Sequence, residues 1–257
     1  MRITLVQTDI LWGEIEANTT HVEQLLKQAP ESDLYILPEM WSTGFCPDPR
    51  EMAEDEQTAA QRMQRLAQIT CSNVSGSLMV KETSGKSVRF YNRHYLAQHN
   101  NGTSHYDKRH LFGYGGESET FTPGSRRTVV ECGGWRWLLQ TCYDLRFPVW
   151  SRYRGDYDGI IYIANWPSRR RNAWEALLRA RAIENQCVVC GVNRVGNDPK
   201  CSYSGGSMII DEHGKLLAKC NDDEEGYASC NVDITSLNEY RNRFTVLDDR
   251  DKYEFIY

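Results

Sequence analysis

Cys142 ends the apolar run Trp137-Leu138-Leu139-Gln140-Thr141 and is followed by Tyr-Asp-Leu-Arg-Phe-Pro, in which Pro148 is placed to open a helix. A thiol at the carboxyl end of a strand, on the turn into a helix, sits where α/β proteins place reactive groups. Backbone N–H groups there hold an oxyanion, and a helix dipole favours the thiolate. The chemistry open to such a thiol is attack on a carbonyl carbon, which requires a base. Histidine is one option, but none follows Cys142 until His213, in a turn between hairpin strands. A carboxylate is the other. Glu39 follows Tyr35-Ile36-Leu37-Pro38, again at the end of an apolar strand, and Lys108 follows a short extended segment. Taken singly, Cys142 also reads as a packing thiol, and Glu39 and Lys108 as surface charges.

Composition narrows the alternatives. The chain has 257 residues, 30 Lys+Arg against 35 Asp+Glu, and a net charge of −5. That balance argues against a nucleic-acid-binding face. No phosphate-cradling glycine motif occurs. Six histidines form no His-x-x-x-His pair, and Cys187-Val-Val-Cys190 lies in a predicted strand, where residues three apart face opposite ways. Neither a metal nor a cofactor is expected. The N-terminus has no signal-peptide pattern, and no apolar run reaches the roughly 18 residues of a membrane span. The expected compartment is the reducing cytoplasm, with no membrane partner. There the nine cysteines are thiols, and the eight other than Cys142 are expected to be packing residues. The run Ser168-Arg169-Arg170-Arg171 reads either as a grip for phosphate or carboxylate or as a solvated loop before a helix.

The elements that must position these residues follow from periodicity. Strands are predicted over 3–6, 34–37, 74–80, 90–97, 128–132, 135–142, 159–163, 186–192, 206–210, 216–219 and 228–232, and helices over 14–28, 57–69 and 173–185. Ser84-Gly85, Gly133-Gly134 and His213-Gly214 read as hairpin connections. Strand–helix–strand units mixed with hairpins imply an α/β protein with a mixed sheet. With no linker, repeat or low-complexity tract, residues 1–257 are expected to form one domain.

Three segments together are more specific than any one residue. Leu37-Pro38-Glu39-Met40, Tyr106-Asp107-Lys108-Arg109-His110-Leu111-Phe112 and Thr141-Cys142-Tyr143-Asp144-Leu145-Arg146-Phe147-Pro148 resemble, in order and spacing, the Glu–Lys–Cys signature of the nitrilase (carbon–nitrogen hydrolase) superfamily. The likeness covers nearly the whole chain. Ile163-Ala164-Asn165-Trp166-Pro167 and Gly205-Gly206-Ser207-Met208 match later landmarks. The resemblance implies a four-layer α-β-β-α sandwich with two mixed sheets, assembled into homodimers or larger homo-oligomers. It implies Glu39 as general base, Cys142 as nucleophile forming a thioester, and Lys108 with the Tyr143 N–H as oxyanion donors. A second glutamate, matched by Glu117 with Glu119 as a nearby rival, is implied beside Lys108.

Within the superfamily, residues 38–45 and 142–152 are most similar to the omega-amidase-like branch. That likeness implies hydrolysis of the terminal amide of a 2-oxo dicarboxylic acid monoamide such as 2-oxoglutaramate. The distal carboxylate of such a substrate needs a cation, for which Arg146, Arg169, Arg170 and Arg171 are candidates. Arg146 reads equally as a brace for the turn around Cys142. Phe112, Asn165 and Trp166 are expected to help line the pocket. The alternative is another specificity of the same chemistry: an N-carbamoyl amidase, an aliphatic amidase or a nitrilase.

Overall fold

The structure, a computed structural model, describes residues 1–255. Its first part runs β1 (Arg2–Gln7), α1 (Ile15–Gln28), β2 (Leu34–Ile36), β3 (Glu54–Asp55), α2 (Glu56–Thr70), β4 (Asn73–Ser84), β5 (Ser87–Gln98), β6 (Gly102–Asp107) and α3 (Glu117–Thr120). Then come β7 (Val129–Cys132), β8 (Trp135–Thr141), α4 (Pro148–Ser151), β9 (Gly159–Ala164), α5 (Arg171–Asn185) and β10 (Val188–Asn193). The chain continues through β11 (Val195–Asn197), β12 (Ser202–Ser204), β13 (Met208–Ile210), β14 (Leu216–Lys219), β15 (Gly226–Asn231) and α6 (Ile234–Arg243).

Alternation along the strands decides the layers, because successive side chains leave a strand on opposite faces. In β1, Ile3 and Leu5 enter one apolar cluster and Val6 another. In β8 and β9, Trp135, Trp137, Leu139, Ile161 and Ile163 join Ile3 and Leu5, while Leu138, Ile160 and Tyr162 turn the other way. The strands are therefore buried on both faces, which explains their continuous apolar runs. Two mixed sheets result, ordered β15-β1-β2-β4-β5-β6 (with β3 beside β4) and β14-β13-β10-β9-β8-β7. Helices α1 and α2 cover the first sheet through Val22, Leu26, Met63 and Leu66, and α5 covers the second through Trp174 and Leu178. This is the four-layer α-β-β-α sandwich. Each fully buried Leu or Ile contributes roughly 1.5–3 kcal/mol of hydrophobic stabilisation.

Helix ends explain most boundary differences. Asp55 caps α2 by accepting the Thr58 N–H, and the helix ends on Cys71 in a left-handed conformation (φ 50°). Cys71 is therefore exposed, and Cys46, Cys201 and Cys230 are partly so, which corrects the expectation that all eight are packing residues. Cys187 and Cys190 are buried in separate clusters on opposite faces of the second sheet. Gln186 takes a left-handed end of α5 (φ 43°), so β10 starts at Val188 rather than 186. Consecutive left-handed glycines, Gly205 and Gly206, delay the next predicted strand to Met208. Helix α6 and the β11–β12 ribbon were not predicted; α6 buries only Leu237, too little for a recognisable apolar stripe.

Candidate active site

Both sheets deliver side chains from the carboxyl ends of their strands to one place. Glu39 follows β2, Lys108 follows β6, Cys142 follows β8 and Asn165 follows β9. Strand β5 aligns two of these segments. Its Asn92 carbonyl accepts the Lys108 N–H at 3.0 Å, and its Phe90 carbonyl accepts the Thr122 N–H at 2.7 Å just beyond α3. That second bond anchors the segment bearing Glu117. Cys142 sits at φ 46°, a left-handed conformation uncommon for a residue with a Cβ, and so turns the chain sharply out of β8.

The polar atoms form a closed, dry network. Lys108 Nζ lies 2.9 Å from Glu39 Oε1 and 3.0 and 2.8 Å from the two carboxylate oxygens of Glu117. Asn92 Nδ2 donates to the same two oxygens, Glu39 Oε1 at 2.7 Å and Glu117 Oε1 at 3.1 Å. The other Glu39 oxygen accepts the Asn165 N–H at 2.8 Å, while the Phe112 N–H holds Glu117 Oε2 at 2.6 Å. Glu119, by contrast, is exposed, and the structure puts Glu117 on Lys108. Cys142 is partly open to the cavity; its thiol points at the Asn165 carbonyl at 4.0 Å and faces the Glu39 carboxylate.

Burial and charge set the protonation states. Burial works against the Glu39 carboxylate, but the Lys108 ammonium and the N–H donors of Asn165 and Asn92 outweigh it, so its pKa lies below the ordinary value. At Glu117 burial prevails over Lys108, reinforced by the charge on Glu39, and the pKa is raised. Burial also disfavours the Lys108 ammonium, yet Glu117, Glu39 and Cys142 hold its pKa above the usual value. Burial first, and then Glu39, push the Cys142 thiol well above its ordinary pKa. Both causes act against the thiolate that a helix dipole would favour at this turn. The element after Cys142 is a five-residue 3-10 turn, too short to compete with desolvation and a facing carboxylate. At rest the site holds a neutral thiol beside an ionised carboxylate.

A second network joins the Cys142 turn to the Lys108 segment. Asp144 is fully buried; one of its oxygens accepts from the Thr141 N–H (3.0 Å) and the Tyr106 hydroxyl (2.8 Å). The other meets the His110 N–H (3.0 Å) and its Nδ1 (2.8 Å), and the His110 ring stacks on Phe147 at 3.9 Å. Arg181 donates to the Leu145 carbonyl at 2.6 Å. The brace considered for Arg146 is thus supplied by Asp144 and Arg181.

A cavity of about 570 Å³ opens above Lys108 and Cys142, walled by Phe45, Phe112, Tyr143 and Trp166, with Asn165 also on its lining. Arg146 lies over the Trp166 ring (4.9 Å) and Arg170 over Phe112 (5.2 Å). These two and the exposed Arg169 line the cavity, and none pairs with a carboxylate among the described residues. Arg171 is removed from the candidates, because Glu175 and Asp222 engage it and it does not line the cavity. His213 packs on Tyr240, outside the cavity lining. Asn92 was missed at the sequence level. The only signal for it was an uncharged amide next to the aromatic pair Phe90-Tyr91 in a predicted strand, and its place beside Lys108 follows from the β5–β6 pairing. Among the described residues no cluster of His, Cys, Asp and Glu could hold a metal, and no helix is long and apolar enough to cross a membrane.

A family model for carbon–nitrogen hydrolases matches residues 2–242. The chain is 39% identical over 254 residues to omega-amidase YafV of Yersinia enterocolitica, covering 98% of both chains. It is 33% identical over 254 residues to a 2-oxoglutaramate amidase of Bacillus subtilis (strain 168), covering 96% of both. Among solved structures, a CN-hydrolase superfamily protein of Xanthomonas campestris with an arsenic adduct in its active site matches with a TM-score of 0.92. That protein is 36% identical, and the match covers 99% of this chain and 98% of the other.

Proposed function

The chain belongs to the carbon–nitrogen hydrolase family, and we propose that it is an omega-amidase, cleaving the terminal amide of a 2-oxoglutaramate-like acid to ammonia and the 2-oxo dicarboxylate. The observation that carries this reading is a cavity with Cys142 and Lys108 at its floor, the buried Glu39 carboxylate directly behind them, and guanidinium groups without carboxylate partners among the described residues on its wall. The resemblance to omega-amidase YafV and 2-oxoglutaramate amidase supports the same substrate class.

Glu39 takes the Cys142 proton as the sulfur attacks the amide carbon. Lys108 and the Tyr143 N–H stabilise the oxyanion, where a cation in a dry site is most effective. Collapse of this adduct breaks the C–N bond, and the proton held by Glu39 passes to the departing nitrogen, which leaves as ammonia. Water, deprotonated by Glu39, then attacks the thioester. The thiolate leaves and recovers its proton from Glu39, so one amide and one water give one acid and one ammonia. Glu117 hydrogen-bonds Lys108 and keeps its ammonium aimed at the reacting carbonyl. Arg146, with Arg169 and Arg170, anchors the distal carboxylate, and Phe112, Asn165 and Trp166 shape the space between.

The deciding measurement is ammonia release from 2-oxoglutaramate, 2-oxosuccinamate, glutamine, carbamoyl amino acids and simple nitriles. The highest kcat/KM is expected for a 2-oxo acid amide. Preference for a carbamoyl compound or a nitrile overturns the substrate assignment. A cytoplasmic location and self-assembly belong to the same reading. Nine unpaired thiols support the first, and exposed Ile183, Phe244 and Val246 offer apolar surface for the second, which sedimentation velocity checks.

A further inference from the structure

We propose that Asn92 is a positioning residue that keeps the two buried glutamates in place when Lys108 turns toward the substrate. The proposal rests on the amidase reading above. Lys108 has three N–H groups and, at rest, three carboxylate contacts: Glu39 Oε1, Glu117 Oε1 and Glu117 Oε2. An oxyanion therefore gains Lys108 only by competing with these contacts. Asn92 Nδ2 touches two of the same oxygens, Glu39 Oε1 and Glu117 Oε1, so the four atoms close a ring of alternating donors and acceptors. The amide is neutral and buried, and it has no call to follow the substrate. It keeps the carboxylates spaced while the ammonium is shared.

Topology supplies this partner. The β5–β6 ladder pairs Arg93 with Asp107, and the Lys108 N–H extends it by one bond to the Asn92 carbonyl. The Asn92 and Lys108 side chains are thus cross-strand neighbours. Asn92 Oδ1 has no partner among the described residues, so the bonds made by Nδ2 are what hold this buried amide in place. An apolar residue of similar size would leave no unpaired acceptor, but it would also remove both bonds.

Groups facing Glu39 come from every element around it: Lys108 after β6, Glu117 on α3, Cys142 after β8, Asn165 after β9 and Asn92 on β5. Neighbouring Arg93 points away, into an ion cluster with Asp107, Glu82 and Glu56. Removing the Asn92 donor leaves Glu39 with less support for its charge, so its pKa must rise.

The test compares Asn92→Ala with the isosteric Asn92→Asp, by steady-state ammonia release from 2-oxoglutaramate across pH. Asn92→Ala is expected to lower kcat roughly 10- to 100-fold, the scale of lost hydrogen bonds to charged groups, with KM changed less than about 3-fold. Its acid limb should move up by about one pH unit. Asn92→Asp preserves shape but loses the donor when ionised, so its activity relative to wild type should recover as pH falls and the carboxyl regains an O–H. An unchanged kcat, or a fall in both variants with neither pH profile altered, overturns the proposal. Alkylation of Cys142 by iodoacetamide across pH reads Glu39 without substrate. If the wild type releases no ammonia, the amidase reading fails, and Asn92 is still judged by whether the alkylation onset moves upward in Asn92→Ala.

Discussion

At the floor of the cavity Glu39, Lys108, Glu117 and Asn92 are at most 1% exposed, and every charge touches an opposite charge or an N–H donor. On the wall, Arg146 and Arg169 are exposed, and neither these two nor Arg170 has a carboxylate partner among the described residues, Arg146 and Arg170 resting instead against aromatic rings. On the proposed mechanism the difference reflects two tasks. Charge that must stabilise a transition state is held rigid in a dry site, where reorganisation costs least. Charge that must capture a solvated carboxylate stays unpaired, so that binding displaces water rather than a competing ion pair. Changes at the floor should therefore act on kcat and changes on the wall on KM.

The largest effect should come from Cys142→Ala, which removes the proposed nucleophile. Ammonia release is expected to fall by about 10⁴-fold or more, with circular dichroism and melting temperature preserved. Turnover near the wild-type rate in that variant would remove Cys142 from the mechanism. Lys108→Met tests whether the floor is a charge-balanced unit. Two carboxylates lose their common cation, which costs about 3–5 kcal/mol of stability and nearly all activity. Its melting temperature should recover partly as pH falls, because protonation relieves the uncompensated charge; an unaltered melting curve would contradict the balance.

On the wall, Arg146→Ala and Arg170→Ala together should raise KM for 2-oxoglutaramate about 10- to 100-fold, with kcat changed much less. A neutral amide of equal length should be indifferent to the same changes, and an equal loss for both substrates would dissolve the division between floor and wall. Gly124→Ala should act on kcat through geometry alone. A Cβ there would meet the Asp107 carbonyl oxygen at 2.0 Å, while the Gly124 N–H donates to the Lys108 carbonyl at 2.9 Å. The Lys108 segment must shift, and a kcat loss of roughly 10-fold is expected, the scale of a 1–3 kcal/mol overpacking strain. The smallest effect is in pH dependence. The lowered Glu39 pKa keeps its carboxylate ionised as pH falls through the ordinary value of 4.5, so the acid limb of kcat/KM should lie below that value. A midpoint above it would show that Glu39 is not held ionised.

Much of this arrangement was legible in the residues themselves. Glu39 and Cys142 each follow an apolar strand, and periodicity located α1, α2 and α5 to within two residues at each end. The later start of β10 was not legible, because only the folded chain shows Gln186 and Cys187 completing the end of α5. Glu117 and Glu119 stand two residues apart on a single helical turn, and their separation into one buried and one exposed side chain depends on how α3 docks against β5. Arg171 looked identical to its neighbours until Glu175 and Asp222 were brought beside it.

By itself the sequence determined an α/β chain with mixed strand pairing and, through its resemblance to the carbon–nitrogen hydrolases, the sandwich and the candidates Glu39, Lys108 and Cys142, because side-chain type and order along the chain are local information. The tertiary structure alone decided that Asn92 joins them, that Glu117 and not Glu119 meets Lys108, and that Cys142 rests as a thiol. Those outcomes depend on cross-strand register, burial and the charges that long-range contacts assemble, none of which is encoded within a short segment of chain.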